Sequence, residues 1–175
     1  MNCCIIDDTG GATRSEAEAD CPGDELHETG RCGSCKSKGK PVSRKTVLLM
    51  LKPELLERAM HGSYSFCSEQ NCSIVYFEDK CCEHFSVDDL RIRVGVKVKD
   101  DPIPLCYCFG FDENHIRDEI GRTGNTSIPE KVSGLIREGL CACEARNPAG
   151  VCCLAEVNKA TKRLKSEQIR IRNQG

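Results

Sequence analysis

The chain lacks the residues that build a large apolar core. It contains no tryptophan, and aromatic residues make up 5% of its 175 residues while charged residues make up 30%. A composition of this kind buries only modest cores, and small cores usually need extra cross-links such as disulfides or bound metal ions. The length fits one or two small domains.

Other absences exclude whole classes of protein. No apolar run approaches the roughly 18 residues of a transmembrane helix, so we expect no membrane insertion. The first residues, Met-Asn-Cys-Cys-Ile-Ile-Asp-Asp, contain neither a basic nor a long apolar segment, so they do not form a secretory signal. The net charge of −2 gives no sign of a nucleic-acid partner. Since no nucleophile elbow, Ser-His-Asp order or phosphate loop is visible, we predict that the protein is not an enzyme.

Against these absences stands an excess of cysteine, with 15 residues in the chain. A secreted disulfide scaffold uses cysteine at this density. The odd number weakens complete pairing, and the missing secretory signal argues against an oxidising compartment. We therefore expect a cytoplasmic protein whose thiols are available to metal ions.

The first group of cysteines consists of Cys32-x-x-Cys35 and Cys67-x4-Cys72. Zn²⁺ favours a tetrahedron of thiolates, and two short turns can each supply two of them. We predict that the second turn lies on a hairpin formed by Tyr64–Phe66 and Ser73–Phe77. Four thiolates leave no open coordination position, which favours a structural zinc site. The alternative is a redox-active Cys-x-x-Cys motif, although the thioredoxin-like context around it is missing.

The second group holds six cysteines that compete for four places. The Cys-x-Cys spacing at its start is too short for a simple zinc knuckle, whereas iron–sulfur clusters accept four thiolates at varied spacings. We therefore predict a [2Fe–2S] centre, and a second zinc site is the alternative. A Gly/Pro turn between the last cysteines could direct backbone N–H groups at the cluster sulfurs. The six are Cys106, Cys108, Cys141, Cys143, Cys152 and Cys153.

These patterns predict an α+β protein made of four segments. Residues 1–30 form a disordered acidic arm, and residues 31–104 form a small zinc-ribbon-like β domain. Residues 105–157 form a helical domain for the cluster, and residues 158–175 form a basic C-terminal helix or tail.

Local patterns predict three further elements. Leu90–Lys99 alternates apolar and basic residues, which indicates a strand with one wet face. A helix begins at an Asp112 cap and ends near Gly121. Another opens at a capping box, Ser127-Ile-Pro-Glu130, and carries an apolar face.

The ordered set of motifs resembles that of the CopZ-type iron–sulfur metallochaperones. The resemblance covers about residues 31–157, and the second half is similar to the bacterioferritin-associated ferredoxin-like (BFD-like) [2Fe–2S] domain. The motifs are Cys32-x-x-Cys35, Phe66-Cys-x4-Cys72 with Val75-Tyr-Phe77, Arg93-Val-Gly-Val-Lys97, Pro104-x-Cys-Tyr-Cys108 and Asn147-Pro-Ala-Gly-x-Cys-Cys153.

The resemblance implies ligands, cofactors and a role. It puts zinc on Cys32, Cys35, Cys67 and Cys72, and the [2Fe–2S] cluster on Cys106, Cys108, Cys143 and Cys153, with Cys141 and Cys152 as close competitors. The implied role is intracellular trafficking of copper or another soft metal, with a cluster that can donate an electron. We hypothesise that this electron reduces Cu(II) to Cu(I). The implied partner is a metal-transport ATPase or a redox protein. Fuller family members add a domain with a Met-x-Cys-x-x-Cys loop, and this sequence contains no such loop.

The cysteines outside both groups are candidates for a transferable Cu(I) ion. We hypothesise that Cys3, Cys4, Cys81 and Cys82 replace the missing transfer loop, since soft thiolates prefer Cu(I). The alternative for Cys81-Cys82 is incidental free cysteine on a loop. Two other functions compete with the metallochaperone: a BFD-like electron-transfer module without transferable metal, and a zinc-ribbon interaction protein without a redox role.

Overall fold

The computed structural model describes residues 30–79 and 83–174 and has an α+β architecture. A mainly β half precedes a mainly helical half, and each contains an apolar core. The strands are β1 Lys40–Val42, β2 Tyr64–Phe66, β3 Ile74–Glu78, β4 His84–Ser86, β5 Pro104–Cys106 and β6 Phe111–Asp112. The α-helices are α1 Arg44–Met50, α2 Glu113–Thr123, α3 Ile128–Arg137, α4 Cys143–Arg146 and α5 Leu154–Gln174, and 3₁₀ helices span Pro53–Ala59 and Val87–Asp89.

The first half is built on an antiparallel sheet with strand order β1-β2-β3-β4. Phe66 pairs with Lys40 on one side and with Tyr76 on the other. The predicted hairpin is confirmed, and its second strand begins one residue later than expected, at Ile74. Tyr64, Phe66, Tyr76 and Phe85 are buried in one cluster with Val47 and Met50 of α1, so half of the eight aromatic residues serve this core.

The predicted strand over residues 90–99 is wrong. Leu90 makes only an isolated bridge to Leu51, and the next residues form bends and a turn in which the Val94 carbonyl accepts hydrogen bonds from the N–H groups of Lys97 and Val98. Val94 is buried, whereas Val96 is 37% exposed. The alternating pattern fails because the segment has no neighbouring strand to pair with. Its basic residues Arg91, Arg93 and Lys99 are exposed, and the partly buried Lys97 bonds to the Glu69 and Cys72 carbonyls.

The second half begins with a small β-hairpin, β5–β6, followed by the helices. The predicted cap of α2 is confirmed, because Asp112 accepts a hydrogen bond from the His115 N–H at 3.1 Å, and the helix ends at Gly124 with φ = 77°. The predicted capping box at Ser127 does not form. Glu119 of α2 takes over that role and accepts a 2.7 Å hydrogen bond from the Ser127 N–H at the start of α3.

The long helix α5 packs against both α2 and α3 and completes the second core. It buries Val157, Ala160 and Leu164, and it continues without a break through the predicted segment boundary at residue 157. Glu113 of α2 is buried and forms ion pairs with Arg117 and with Arg163 of α5. The segment limits assigned from the sequence stay predictions.

Across the described residues, no helix combines the length and the apolar character that a membrane crossing requires.

Candidate metal centres

The first centre forms where a turn and a hairpin meet. Cys32 and Cys35 lie in a tight turn closed by hydrogen bonds between Cys32 and both Lys36 and Ser37, and Lys36 adopts φ = 60° to complete it. The chain then enters β1, which pairs with β2. Because β2 ends just before Cys67 and β3 begins just after Cys72, strand pairing brings the hairpin connection over the first turn.

The four sulfur atoms of this centre all lie within 4.8 Å of one another. The Cys32 and Cys72 sulfurs are 3.8 Å apart, and the Cys35 and Cys67 sulfurs are 3.6 Å apart. A zinc ion bound at a Zn–S distance of 2.3 Å requires sulfur separations of roughly 3.8 Å in a tetrahedron. Three of the cysteines are buried and Cys35 is partly exposed, so the arrangement can enclose one ion.

The cysteines of the first centre differ in pKa, and one positive charge lies beside them. Burial raises the pKa of Cys67 to about 12, and it also raises the pKa of Cys32. Burial acts on Cys35 in the same direction, but hydrogen bonds from Ser37 and from neighbouring thiols outweigh it and lower the pKa to about 6. The ammonium group of Lys97 donates to the carbonyls of Glu69 and Cys72 at 2.7 and 3.0 Å, which places a positive charge beside the thiolates.

The second centre gathers cysteines from three places in the helical half. Cys106 ends β5, and Cys108 lies in the turn that leads into β6. Cys143 is the first residue of the short helix α4, and Cys153 immediately precedes α5, whose Val157 N–H bonds to the Cys153 carbonyl. The start of a long helix favours a thiolate, because unpaired N–H groups concentrate positive potential there.

The sulfurs of the second centre form two pairs. Cys106 and Cys153 are 3.0 Å apart, and Cys108 and Cys143 are 3.7 Å apart. Across residues 30–79 and 83–174, only the first centre has three or more ligand atoms all within 4.8 Å of one another, so the second does not form one compact tetrahedron. Cys106, Cys143 and Cys153 are buried and Cys108 is partly exposed.

The two competing cysteines lie at the edge of the second centre. Cys152 is exposed and Cys141 is partly exposed, and the closest sulfur pairs include neither of them. Cys152 still lies near enough to contribute, after burial and Cys108, to the raised pKa of Cys143, which reaches about 12. The two closest sulfur pairs are thus made by Cys106, Cys108, Cys143 and Cys153, and the choice among the six cysteines as cluster ligands stays a prediction.

Backbone N–H groups point at the sulfurs of the second centre. The Ala142 N–H donates to the Cys108 sulfur at 3.4 Å. The Cys153 thiol, and next the N–H groups of Phe109 and Cys108, lower the pKa of Cys106 to about 6 against the opposing effect of burial. The hydrogen bond that the Cys153 thiol donates to Cys106 raises the pKa of Cys153 itself. Such donors stabilise negative charge on sulfur.

The remaining candidate ligands fall in segments that the structure leaves undescribed. Cys3, Cys4, Cys81 and Cys82, which the sequence suggests for a transferable metal ion, lie outside residues 30–79 and 83–174, as does Cys21. Their placement as soft-metal ligands stays a prediction.

Sequence reasoning missed three residues that support the centres. Lys97 was assigned to the wet face of a strand, but its side chain spans the Cys67–Cys72 turn. Tyr107 accepts a 2.7 Å hydrogen bond from the Gly95 N–H, and Tyr76 donates a 2.8 Å hydrogen bond to the Pro148 carbonyl. All three residues make contacts between distant parts of the chain, which local sequence patterns do not reveal. The one feature of the sequence that pointed to a supporting role was the position of Tyr107 between two predicted ligands.

Comparison with known proteins finds relatives that share this architecture. Residues 29–91 match the CopZ-type zinc-binding domain family. The copper chaperone CopZ of Archaeoglobus fulgidus is 32% identical over 123 residues, which make up 70% of this chain and 57% of that protein. The chain thus spans little more than half the length of this relative. The X-ray structure of the A. fulgidus CopZ N-terminal domain is similar with a TM-score of 0.59 at 30% identity, and the match covers 74% of this chain and 95% of that domain.

Proposed function

The chain belongs to the family of the CopZ N-terminal domain. From that premise we propose that it is a non-enzymatic metallochaperone-like protein for soft metal ions, and that it holds one structural zinc ion and one [2Fe–2S] cluster. The observation that carries the proposal is the partition of the described cysteines into one compact set of four sulfurs and two separate sulfur pairs. The copper chaperone named among its relatives supports copper as the cargo.

The compact set fits a structural zinc ion. Its sulfur separations of 3.6 and 3.8 Å lie close to the edge of a zinc tetrahedron. Four thiolates carry more negative charge than Zn²⁺ neutralises, and Lys97 offsets part of the excess from outside the ligand set. No ligand position is left for a substrate, so the ion stabilises the small β half.

The two pairs fit a [2Fe–2S] cluster, in which each of two iron ions takes two thiolates. We assign Cys106 and Cys153 to one iron ion and Cys108 and Cys143 to the other, in accord with their separations. The Ala142, Phe109 and Cys108 N–H groups would stabilise the negative charge of the thiolates.

When bound, the cluster would supply single electrons, and one electron converts Cu(II) into Cu(I). This chain's own residues then hold the centre near the surface, because Cys108 is partly exposed while its three partners are buried. Thiolates bind Cu(I) in preference to harder ions. We propose that Cys3, Cys4, Cys81 and Cys82 receive the ion and that a metal-transport ATPase accepts it.

An anaerobic metal count on the purified chain tests the proposal. We expect one zinc, two iron and two acid-labile sulfide per chain, together with a visible spectrum that dithionite bleaches. Addition of Cu(II) to the reduced protein should restore the oxidised spectrum and yield one Cu(I) per cluster. A chain that stays colourless after reconstitution with iron and sulfide would refute the cluster, and zinc contents near two per chain would favour a second zinc site.

A second candidate function is electron transfer without a transferable metal. One observation favours it: each of the ten cysteines in the described part of the chain belongs to one of the two centres or lies at the edge of the second. Titration with Cu(I) separates the two functions. A variant lacking Cys3, Cys4, Cys81 and Cys82 should bind less Cu(I) than the wild type if the chain carries copper, and equally much if it only transfers electrons.

A further inference from the structure

We propose that Tyr76 and Tyr107 are positioning residues through which the zinc-bearing half holds the two loops that carry the cluster ligands, so that retention of the cluster depends on zinc. The inference rests on the proposed function, since it concerns the cluster named there. It adds that the stability of one centre depends on the other, which the two ligand sets by themselves do not imply.

The first connection runs through Tyr107, which lies between the ligands Cys106 and Cys108. Its hydroxyl accepts a 2.7 Å hydrogen bond from the Gly95 N–H, which belongs to the first half. The backbone also approaches closely here, because a Cβ added at Gly95 would lie 2.0 Å from the Pro104 carbonyl oxygen. The segment around Gly95 therefore fixes the Cys-Tyr-Cys turn from outside the helical half.

The same segment reaches the zinc centre two residues later. Lys97 follows Gly95 in a turn and donates to the carbonyls of Glu69 and Cys72, which lie within the second zinc turn, Cys67–Cys72. A closed Cys67–Cys72 turn holds these carbonyls in position for Lys97. Loading of the zinc site thus favours the geometry that presents the Gly95 N–H to Tyr107.

The second connection runs through Tyr76 and reaches the other two cluster ligands. Tyr76 lies on β3, which begins two residues after the zinc ligand Cys72. Its hydroxyl donates a 2.8 Å hydrogen bond to the carbonyl of Pro148, in the loop between Cys143 and Cys153. Both Tyr76 and Pro148 are fully buried, so no water replaces this bond while the two halves stay together.

A third bond links the same two regions. Thr46 of α1 donates from its hydroxyl to the Glu144 carbonyl of α4 at 2.6 Å, and α1 packs against α4. Ala149 of the ligand loop also packs against the core of the first half. Both ligand loops of the cluster are therefore attached to the zinc-bearing half by hydroxyl groups, and the Cys143–Cys153 loop also by apolar contact.

The two hydroxyl groups bond to backbone groups of the neighbouring segments. Removal of either hydroxyl leaves a backbone N–H or carbonyl group without this partner. Groups that orient metal ligands from outside the coordination shell typically change metal affinity about 10- to 100-fold when mutated.

Phenylalanine variants test the inference, and Tyr64 provides a matched control. Tyr64 is a buried tyrosine of the same core whose hydroxyl donates to the His61 carbonyl at 3.1 Å, within the first half. We would reconstitute the wild type, Y64F, Y76F and Y107F with iron and sulfide, with and without Zn²⁺. The loss of visible absorbance in excess iron chelator gives the lifetime of the cluster, and visible circular dichroism reports the geometry of its ligands.

We expect zinc-loaded Y76F and Y107F to lose the cluster at least about tenfold faster than the wild type, with an altered dichroism spectrum, and Y64F to match the wild type. Omission of zinc should accelerate the loss in the wild type and in Y64F by a similar factor. It should have a smaller effect in the Y76F/Y107F double variant, because two of the three hydrogen bonds that join the halves are then missing. T46V, which removes the third bond, gives a second variant and should shift the lifetime in the same direction.

The outcomes separate this inference from the proposed function. A wild type that takes up no cluster refutes the proposed function and this inference with it. A wild type whose cluster lifetime is the same with and without zinc overturns the inference alone, as does a double variant that responds to zinc as strongly as the wild type. Zinc content measured on each variant shows whether its first half is folded, and T46V decides the question if a tyrosine variant fails that check.

Discussion

Replacement of Lys97 by methionine should weaken zinc binding, although Lys97 is not a ligand. Its ammonium group donates to the Glu69 and Cys72 carbonyls at 2.7 and 3.0 Å and adds an attraction that lowers the pKa of Cys67 against the larger effect of burial. Methionine matches the four-atom apolar stem of lysine without its terminal ammonium group, so packing along the stem is retained. The substitution removes two charged hydrogen bonds and one positive charge beside a negative site.

The size of the effect follows from these contacts. A hydrogen bond to a charged group contributes about 1.5–3 kcal/mol when it is fully shielded from water. Lys97 is only partly buried, and the two carbonyls bind water once it is gone, so the two bonds together should cost about as much as one shielded bond. Outer-shell substitutions of this type lower metal affinity about 10- to 100-fold, which corresponds to about 1.4–2.7 kcal/mol.

Competition with a chromophoric zinc chelator under anaerobic, reducing conditions measures this loss. Lys99 supplies the control, because its ammonium group binds the Asn71 side chain at 2.9 Å, on the same turn, without touching a backbone carbonyl. We expect K97M to bind zinc at least tenfold more weakly than the wild type and K99M to stay within about twofold. Equal affinities of K97M and K99M would show that net charge alone matters and would refute the argument from the two carbonyls.

Three further predictions follow from the structure. Cys153→Ser should abolish the visible absorbance of the cluster or strongly shorten the cluster's lifetime, while Cys152→Ser leaves both intact. Of the two cysteines, only Cys153 is buried and paired with another sulfur, at 3.0 Å. Equal spectra of the two variants would refute the choice of Cys153 over Cys152 as a ligand. Glu119→Gln should lower the free energy of unfolding at pH 7 by about 1–2 kcal/mol. The Lys131 side chain and then the hydrogen bonds at the start of α3 lower the pKa of Glu119 from 4.5 to about 2, so its contribution is present above pH 4.5 and the urea midpoints of the two proteins should converge as the pH falls towards 2. Gly39→Ala should destabilise the first half by about 1–3 kcal/mol in thermal unfolding, because the added Cβ would lie 2.5 Å from the Phe77 ring. An unchanged unfolding midpoint would show that the ring moves aside at no cost.

The local features of the centres could be predicted from the sequence because each depends on a few neighbouring residues. A Cys-x-x-Cys turn and a β-hairpin bring their own cysteines together whatever the rest of the chain does, so Cys32 and Cys35, and separately Cys67 and Cys72, could be paired in advance. The Asp112 cap of α2 is likewise a contact between residues three apart. Spacing could not decide between six cysteines for four places, since that choice depends on which sulfurs the fold buries.

Features that depend on contact between distant segments could not be predicted. The alternation from Leu90 to Lys99 indicates a strand, yet a strand requires a neighbour, and the sheet ends at β4. The start of α3 shows the same limitation, because its cap is not the local Ser127 side chain: a carboxylate from α2, that of Glu119, binds the Ser127 N–H. In both cases the local residues find partners that only the tertiary structure supplies: the carbonyls of the Cys67–Cys72 turn for Lys97, and the Glu119 carboxylate for Ser127.

The first of these two segments, residues 90–99, also joins the two halves. A strand at residues 90–99 would direct its N–H groups into a sheet, whereas the observed turn leaves the Gly95 N–H free to bond to the Tyr107 hydroxyl and turns Lys97 towards the zinc centre. The irregular backbone of this segment therefore makes contacts that a regular strand could not make. It places one short stretch of chain against a ligand turn of each centre, which two separately folded domains joined by a linker could not do.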